Sequence, residues 1–272
     1  MPLTKFLFWN VGRRPLANLV ADLAESHAID VIILAECEVE AAVMLQTLNR
    51  NPSAGFHLPV GLSRQISIYT RFAREFLQPV FESERISIRR LILPARSPVL
   101  LVAVHLPSKL HHSEESQKFE CVELIRNIEL AENAAGHQRT ILVGDFNMNP
   151  FEAGLVSAAG LNSVMSRNIA SRGTRTVAGR EYRFFYNPMW RHFGDAQDHT
   201  AGSYYYDASQ HVNYYWNLFD QVLLRPDLAE RFDASRLTIL RSVGPVSLVR
   251  ADGRPDPIAG SDHLPLVFAV EF

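Results

Sequence analysis

Cysteine is scarce. Among 272 residues there are only Cys37 and Cys121, and no C-x-x-C spacing. That excludes a disulfide framework and a cysteine-based zinc site, and a reducing compartment, the cytoplasm, is the expected location. Lysine is nearly absent as well, with 3 residues (Lys5, Lys109, Lys118) beside 24 arginines. Arginine is the better bidentate phosphate ligand, although a coding bias of the source genome would give the same skew. Long apolar runs are missing. The strongest, residues 99–104, has the length of a strand, so no membrane span is expected. Residues 1–9 lack the basic-then-apolar order of a signal peptide and read as a strand. A surplus of charge is missing too: the net charge of −2 excludes a general polycation and confines any nucleic-acid partner to a local patch. No internal repeat, low-complexity tract or linker interrupts the chain, so residues 1–272 are read as a single domain.

What is present is an ordinary globular composition, 47% hydrophobic and 21% charged, able to bury a sizeable core. Residues 6–9 are β-prone and end at Asn10. Residues 15–27 carry apolar side chains at helical spacing, 29–34 form an apolar run of the kind buried on both faces, and 38–48 read as a second helix. A strand-rich middle follows at 55–60, 65–72, 85–93 and 99–105, predicted as an antiparallel meander. Residues 113–135 read as a long helix with Ser113 as N-cap and Gly136 as its stop. Residues 139–144 form a strand, and 151–159 a short helix. Residues 161–216 lack periodicity and are rich in arginine and aromatic rings. Strands return at 218–224, 237–240 and 264–270.

The run Ile-Leu-Val-Gly-Asp-Phe-Asn at 141–147 ends an apolar strand in two polar residues two apart, which face the same way at strand spacing. By itself this stretch fits a turn as well as a site. Other apolar strands also end in polar residues: Asn10, Glu36, His105, Asp220, and Asp262 with His263. If these ends lie on one side of packed sheets, the residues converge. Carboxylates with an amide oxygen suit a hard cation such as Mg²⁺ or Mn²⁺. A histidine beside a carboxylate is an oriented general base. A second histidine and an asparagine can donate hydrogen bonds to a negatively charged transition state. Metal-assisted phosphoryl transfer to water needs that inventory.

Trp9-Asn10-Val11, Ala35-Glu36, Val104-His105-Leu106, Gly144-Asp145-Phe146-Asn147, Phe219-Asp220-Gln221-Val222 and Ser261-Asp262-His263-Leu264-Pro265 resemble, in order and rough spacing, the endonuclease/exonuclease/phosphatase superfamily. The resemblance spans Asn10 to Pro265. It implies a DNase I-like α/β fold, a four-layer α/β/β/α sandwich with two packed, mostly antiparallel sheets and the site at one end of them. It also implies roles. Glu36 would be the main metal ligand, with Asn10 beside it and Asp262 near the metal or at a second position. His263 would activate water and Asp220 would orient His263. Asp145 would hold or protonate a reacting oxygen, Asn147 would position the phosphate and His105 would stabilise charge on phosphorus. Asp145 and His263 can each be drawn as the base. Ala35 stands where many members have Gln, and His105 where abasic-site endonucleases tend to have Tyr, which argues against abasic-site repair.

The expected activity is that of a divalent-metal-dependent phosphoesterase, a nuclease or other phosphodiesterase. The alternatives are a phosphomonoesterase or lipid phosphodiesterase acting on a small or lipid-borne phosphate ester, and an inactive binding module. Within the arginine/aromatic insertion at about 161–216, Arg183, Tyr186, Trp190 and Arg191 are expected to meet a nucleic-acid substrate. His192, Asp195, Asp198 and His199 are read as a solvated loop rather than a second metal site, His111 and His112 as loop residues, and Cys37 as packing.

Overall fold

The structure, a computed structural model, describes residues 3–51, 53–110, 112–194, 200–209 and 211–272. Twelve strands build two large sheets: β1 (Leu3–Asn10), β2 (Val31–Ala35), β3 (Ile66–Thr70), β4 (Leu77–Glu82), β5 (Ile86–Leu91), β6 (Val99–His105), β7 (Thr140–Asp145), β8 (Ser163–Val164), β9 (Phe185–Tyr186), β10 (Asp220–Leu224), β11 (Thr238–Ile239) and β12 (Leu266–Glu271). The first sheet has the order β11-β12-β1-β2-β3 and the second β4-β5-β6-β7-β10-β9-β8. Only β1/β2, β6/β7 and β8/β9 pair in parallel; the other neighbours are antiparallel. Helices α1 (Ala17–Ser26) and α2 (Ala41–Leu48) lie outside the first sheet and α3 (Glu114–Ala135) outside the second. This is the α/β/β/α sandwich.

The strand period of two explains why the central runs are apolar throughout. Val99, Leu101 and Ala103 of β6 join the core between the sheets, while Leu100, Val102 and Val104 face α3 through Cys121, Leu124 and Ile128. Ile141 and Val143 of β7 and Val222 and Leu224 of β10 face inward, and Leu142 and Leu223 face α3. Helix α3 starts where Ser113 accepts the Ser116 N–H and stops at Gly136 in the left-handed region, as the sequence predicts.

Strand direction gathers the polar ends. Asn10 pairs with Ala35 across the parallel β1/β2 ladder, and β12 runs antiparallel to β1 with Leu266 opposite Phe8. Asn10, Glu36 and His263 therefore share one end of the first sheet. His105 pairs with Asp145 across β6/β7, and Asp145 with Asp220 across β7/β10. These three share the same end of the second sheet. Gly144 is what lets β6 and β7 close there: a Cβ at this position would collide with the Val104 carbonyl oxygen.

Three expectations need correcting. The middle strands are not one meander: β3 pairs with β2 in the first sheet, whereas β5 and β6 belong to the second. Residues 55–60 form no strand, only a bridge between His57 and Thr70; Pro59 lacks the N–H that a longer ladder needs. An additional strand, β4, occupies the edge of the second sheet, where Pro79 is tolerated beside a bulge. The helix expected at 151–159 shortens to Ala153–Val156. Among the described residues no helix is long and apolar enough to cross a membrane.

Candidate active site

Each functional side chain is held by the strand end that carries it. Trp9, fully buried in β1, donates its indole N–H to the His263 carbonyl at 2.8 Å, and Ser261 Oγ donates to the Asn10 carbonyl at 2.8 Å. These bonds pin the Ser-Asp-His turn to the end of the first sheet. Glu36 leaves β2 with φ of 51°, and Asn147 follows β7 with φ of 51°. A left-handed non-glycine residue costs on the order of 1–3 kcal/mol, and such strain concentrates at functional sites. Here flanking bonds hold it: Glu36 N–H donates to the Gln65 carbonyl and Arg13 N–H to the Glu36 carbonyl. Asn147 N–H donates to Asp145 Oδ1 at 2.8 Å.

One cluster results. Asn10 Nδ2 donates to Asp145 Oδ2 at 2.9 Å and to Glu36 Oε1 at 3.4 Å. His105 Nε2 lies 3.3 Å from Glu36 Oε1 and 3.8 Å from Asp145 Oδ2. His263 Nδ1 contacts both oxygens of the fully buried Asp220, at 2.8 and 3.1 Å, while its Nε2 points toward Asp145 Oδ2 at 3.8 Å. Asn147 Nδ2 donates to the Leu106 carbonyl, which fixes the amide beside His105. Asp262 is exposed beside Gly12, where a Cβ would come within 2.9 Å of its Oδ1. The structure thus brings Asn10, Glu36, His105, Asp145, Asn147, Asp220 and His263 to one place, with Asp262 at the rim.

The electrostatics follow from burial and pairing. Glu36 is lowered to about 2, chiefly by the hydrogen bond from His105, with burial opposing. It is a firm anion. Burial alone pushes His263 down and Asp220 up, but the facing carboxylates of Asp220 and Asp145 dominate at His263 and raise it to about 10. The two groups titrate as a pair: the facing carboxylates favour the charged imidazole of His263, and burial opposes the charge on Asp220.

Ligand atoms of Asp145, Asp220 and His263 lie within 4.8 Å of one another, close enough to hold a metal ion. The hydrogen bonds favour a different donor set. Both Asp220 oxygens face His263 Nδ1, whereas Glu36 Oε2 lies 3.5 Å from the exposed Arg13 guanidinium. The partly exposed Glu36, and Asp262 at the rim, offer hard carboxylate oxygens that reach solvent, which fits a Mg²⁺-like cation, whereas the buried Asn10 turns its amide nitrogen to Glu36 and its oxygen to the Gly12 N–H.

The expected substrate residues are placed elsewhere. Arg183 pairs with the buried Glu132 at 3.3 Å, next to Arg225, at the end of β10 opposite Asp220. Tyr186 pairs with Leu224 at that same far end and lies under Arg167. Arg191 donates to the Ala234 carbonyl. Trp190 packs against Phe151, 6.4 Å between rings. These side chains had structural partners that no one-dimensional pattern announces. Asp195, Asp198, His199 and His111 lie outside the described residues.

Sequence reading missed Tyr204. Its backbone bridges His263 and its ring lies 4.6 Å from the imidazole, tilted by 36°. Burial, with the charges of Asp262 and Asp145 next, pushes its hydroxyl up to about 12, so it stays neutral. Gln65, whose Oε1 meets His105 Nδ1 at 3.2 Å, was missed as well. Alternation in Ser203-Tyr204-Tyr205-Tyr206 was the only available signal.

The family model for the Endonuclease/Exonuclease/phosphatase family matches residues 7–263, from β1 to His263 itself. The chain belongs to this family. It is accordingly a hydrolase acting on phosphate ester bonds. Solved structures of similar fold include an endonuclease/exonuclease/phosphatase family protein from Bacteroides thetaiotaomicron, with a TM-score of 0.61, 13% identity, and 99% of this chain and 98% of that one covered. Another is D. rerio TDP2 complexed with single strand DNA product, at 0.57 and 16% identity with both chains fully covered (100%). A third is an AP endonuclease from Archaeoglobus fulgidus, at 0.57 and 15% identity with 99% of each covered. No curated protein matches the sequence.

Proposed function

We propose that this family member is a divalent-metal-dependent phosphodiesterase, a nuclease using Mg²⁺ or Mn²⁺, whose residues 1–272 act as one catalytic domain. The observation that carries the reading is the His263–Asp220 pair, with His263 Nε2 turned toward Asp145 beside the Glu36–Asn10–His105 group. A cation held by Glu36, with Asn10 and Asp262 close by, would supply positive charge against the scissile phosphate.

The chain's own groups divide the remaining work. Asp220 keeps the Nδ1 proton of His263 in place, which leaves Nε2 as the acceptor for the proton of the attacking water. Asp145 is the weaker candidate for base, because its Oδ1 already accepts from Asn147 N–H and its Oδ2 from Asn10. The carboxylates of Asp220 and Asp145 favour a proton on His263 against the effect of its burial. A cation at Glu36 would offset part of the negative charge facing His263 and so would favour the neutral imidazole that can act as a base. Asn147 flanks the same space, and its second Nδ2 hydrogen would donate to a non-bridging oxygen of the phosphate; His105 Nε2, which bonds Glu36 at 3.3 Å, would do so on turning from that carboxylate.

Nucleic acid as substrate is supported by the TDP2 neighbour, complexed with single strand DNA product, and by the AP endonuclease neighbour. The free thiols of Cys37 and Cys121 accord with a cytoplasmic location. The test is hydrolysis of single-stranded DNA, double-stranded DNA and RNA by the pure protein, with Mg²⁺ or Mn²⁺ and with EDTA. Metal-dependent cutting of one polymer is expected. Activity confined to a phosphomonoester would overturn the reading.

A further inference from the structure

A cleft of about 320 Å³ opens beside the catalytic cluster, sharing Asn147 and Tyr204 with it. Its walls include Tyr204, Tyr206, Tyr214 and Phe219. Tyr204–Tyr205 pairs with Trp216–Asn217 as a short antiparallel ribbon. Strand alternation turns Tyr204 and Tyr206 to the same face, where their rings stack at 6.5 Å with planes 14° apart, and Tyr204 stacks on Phe219 at 5.3 Å. Tyr205 faces the other way, against Trp216 and under Arg254. Tyr214 stands on Phe151, edge to face at 5.3 Å, and Phe151 is backed by Trp190 and Phe193. The rings are braced from behind, yet Tyr206 and Tyr214 remain 39% and 51% exposed.

The charges in this cleft exclude a phosphate site. Its lysine, Lys109, is paired with Glu152, and Glu114 adds a further negative charge. A flat, neutral, polar-edged ring suits the space better. Continuity with Asn147 puts such a ring one step along the substrate from the phosphate that the cluster would cleave.

We propose that this cleft is a stacking subsite for one unpaired nucleobase, seated against Tyr206 and Tyr214 next to the scissile phosphate. It makes the enzyme select single-stranded or frayed nucleic acid, since a base held in a duplex cannot leave its stack without unpairing. The proposal rests on the phosphodiesterase reading above and adds the nature of the group beside the phosphate.

The test is fluorescence anisotropy with a labelled hexaadenylate DNA strand and a labelled abasic strand of equal length, with EDTA present so that neither is cut. Wild-type protein is expected to bind the base-bearing strand about tenfold more tightly. The Tyr206→Ala/Tyr214→Ala protein loses that preference, whereas Tyr206→Phe/Tyr214→Phe, which keeps both rings, retains it. Equal or undetectable binding of the two strands by wild type, or a preference that survives the double alanine change in a protein with native circular dichroism, overturns the subsite. Hydrolysis of bis-p-nitrophenyl phosphate with Mg²⁺ is run beside it. Activity there with equal strand binding removes the subsite and leaves the phosphodiesterase; inactivity there with base-dependent binding does the reverse.

Discussion

Replacing Asp220 by asparagine exchanges one oxygen for an NH₂ group and leaves the shape. Asp220 is fully buried, and both of its oxygens face His263 Nδ1, at 2.8 and 3.1 Å. The carboxylate can only accept, so it dictates which ring nitrogen carries the proton. An amide offers an N–H at one of those positions, and the imidazole answers by moving its proton to Nε2, the nitrogen that faces Asp145 and the reacting space. His263 then cannot take a proton from water. The substitution also removes the charge that chiefly opposes burial at His263, so its pKa falls. In a serine-protease triad the equivalent change costs about 10⁴ in turnover. A loss of about 10³–10⁴ is expected here, equivalent to roughly 4–5 kcal/mol of transition-state stabilisation. The assay is kcat for bis-p-nitrophenyl phosphate with Mg²⁺, alongside the melting temperature and the ¹⁵N shifts of the His263 ring. Turnover within tenfold of wild type in a folded Asp220→Asn protein would refute the reasoning.

Three other perturbations separate the site from its scaffold. Glu36 is lowered to about 2 by its bond from His105, so without metal its contribution to stability is complete above pH 4.5 and is lost as the pH falls through about 2; in EDTA, Glu36→Gln should flatten that acid limb of the melting-temperature profile. Gly144→Ala drives a methyl group into the Val104 carbonyl and should cost about 1–3 kcal/mol in urea unfolding, a cost that an unchanged midpoint would contradict. Glu132→Ala leaves the fully buried Arg225 guanidinium without its carboxylate, at the end of the sheet far from the site. It should lower stability by about 3–5 kcal/mol while kcat, measured below the melting range, stays near wild type.

Much of this site could be read from the sequence because strand ends carry position. Asn10, Glu36, His105, Asp145 and Asp220 each close or open an apolar strand, and parallel or antiparallel pairing does the rest. The alternation that buries β6 on two faces is likewise a local property. What stayed hidden depends on partners remote in sequence. Arg183 looked like a phosphate ligand until Glu132, on α3, claimed it. Tyr186 looked like a stacking ring, but it sits beside Leu224 at the wrong end of β10. Tyr204 looked like one aromatic among many, and only the bridge to His263 singles it out. Strand β4 was hidden by Pro79, which argues against a strand except at an edge, and edges are not written in a local pattern.

The central claim is that His263, held by Asp220 and served by a cation at Glu36, hydrolyses a phosphodiester. Its most direct test is the rate of bis-p-nitrophenyl phosphate hydrolysis by wild type and His263→Ala, each purified identically and assayed with Mg²⁺ and with EDTA. The account predicts turnover by wild type with Mg²⁺ alone, and a fall of at least about a thousandfold in His263→Ala with the fold retained. Equal rates for the two proteins, or a wild-type rate indifferent to EDTA, would contradict it.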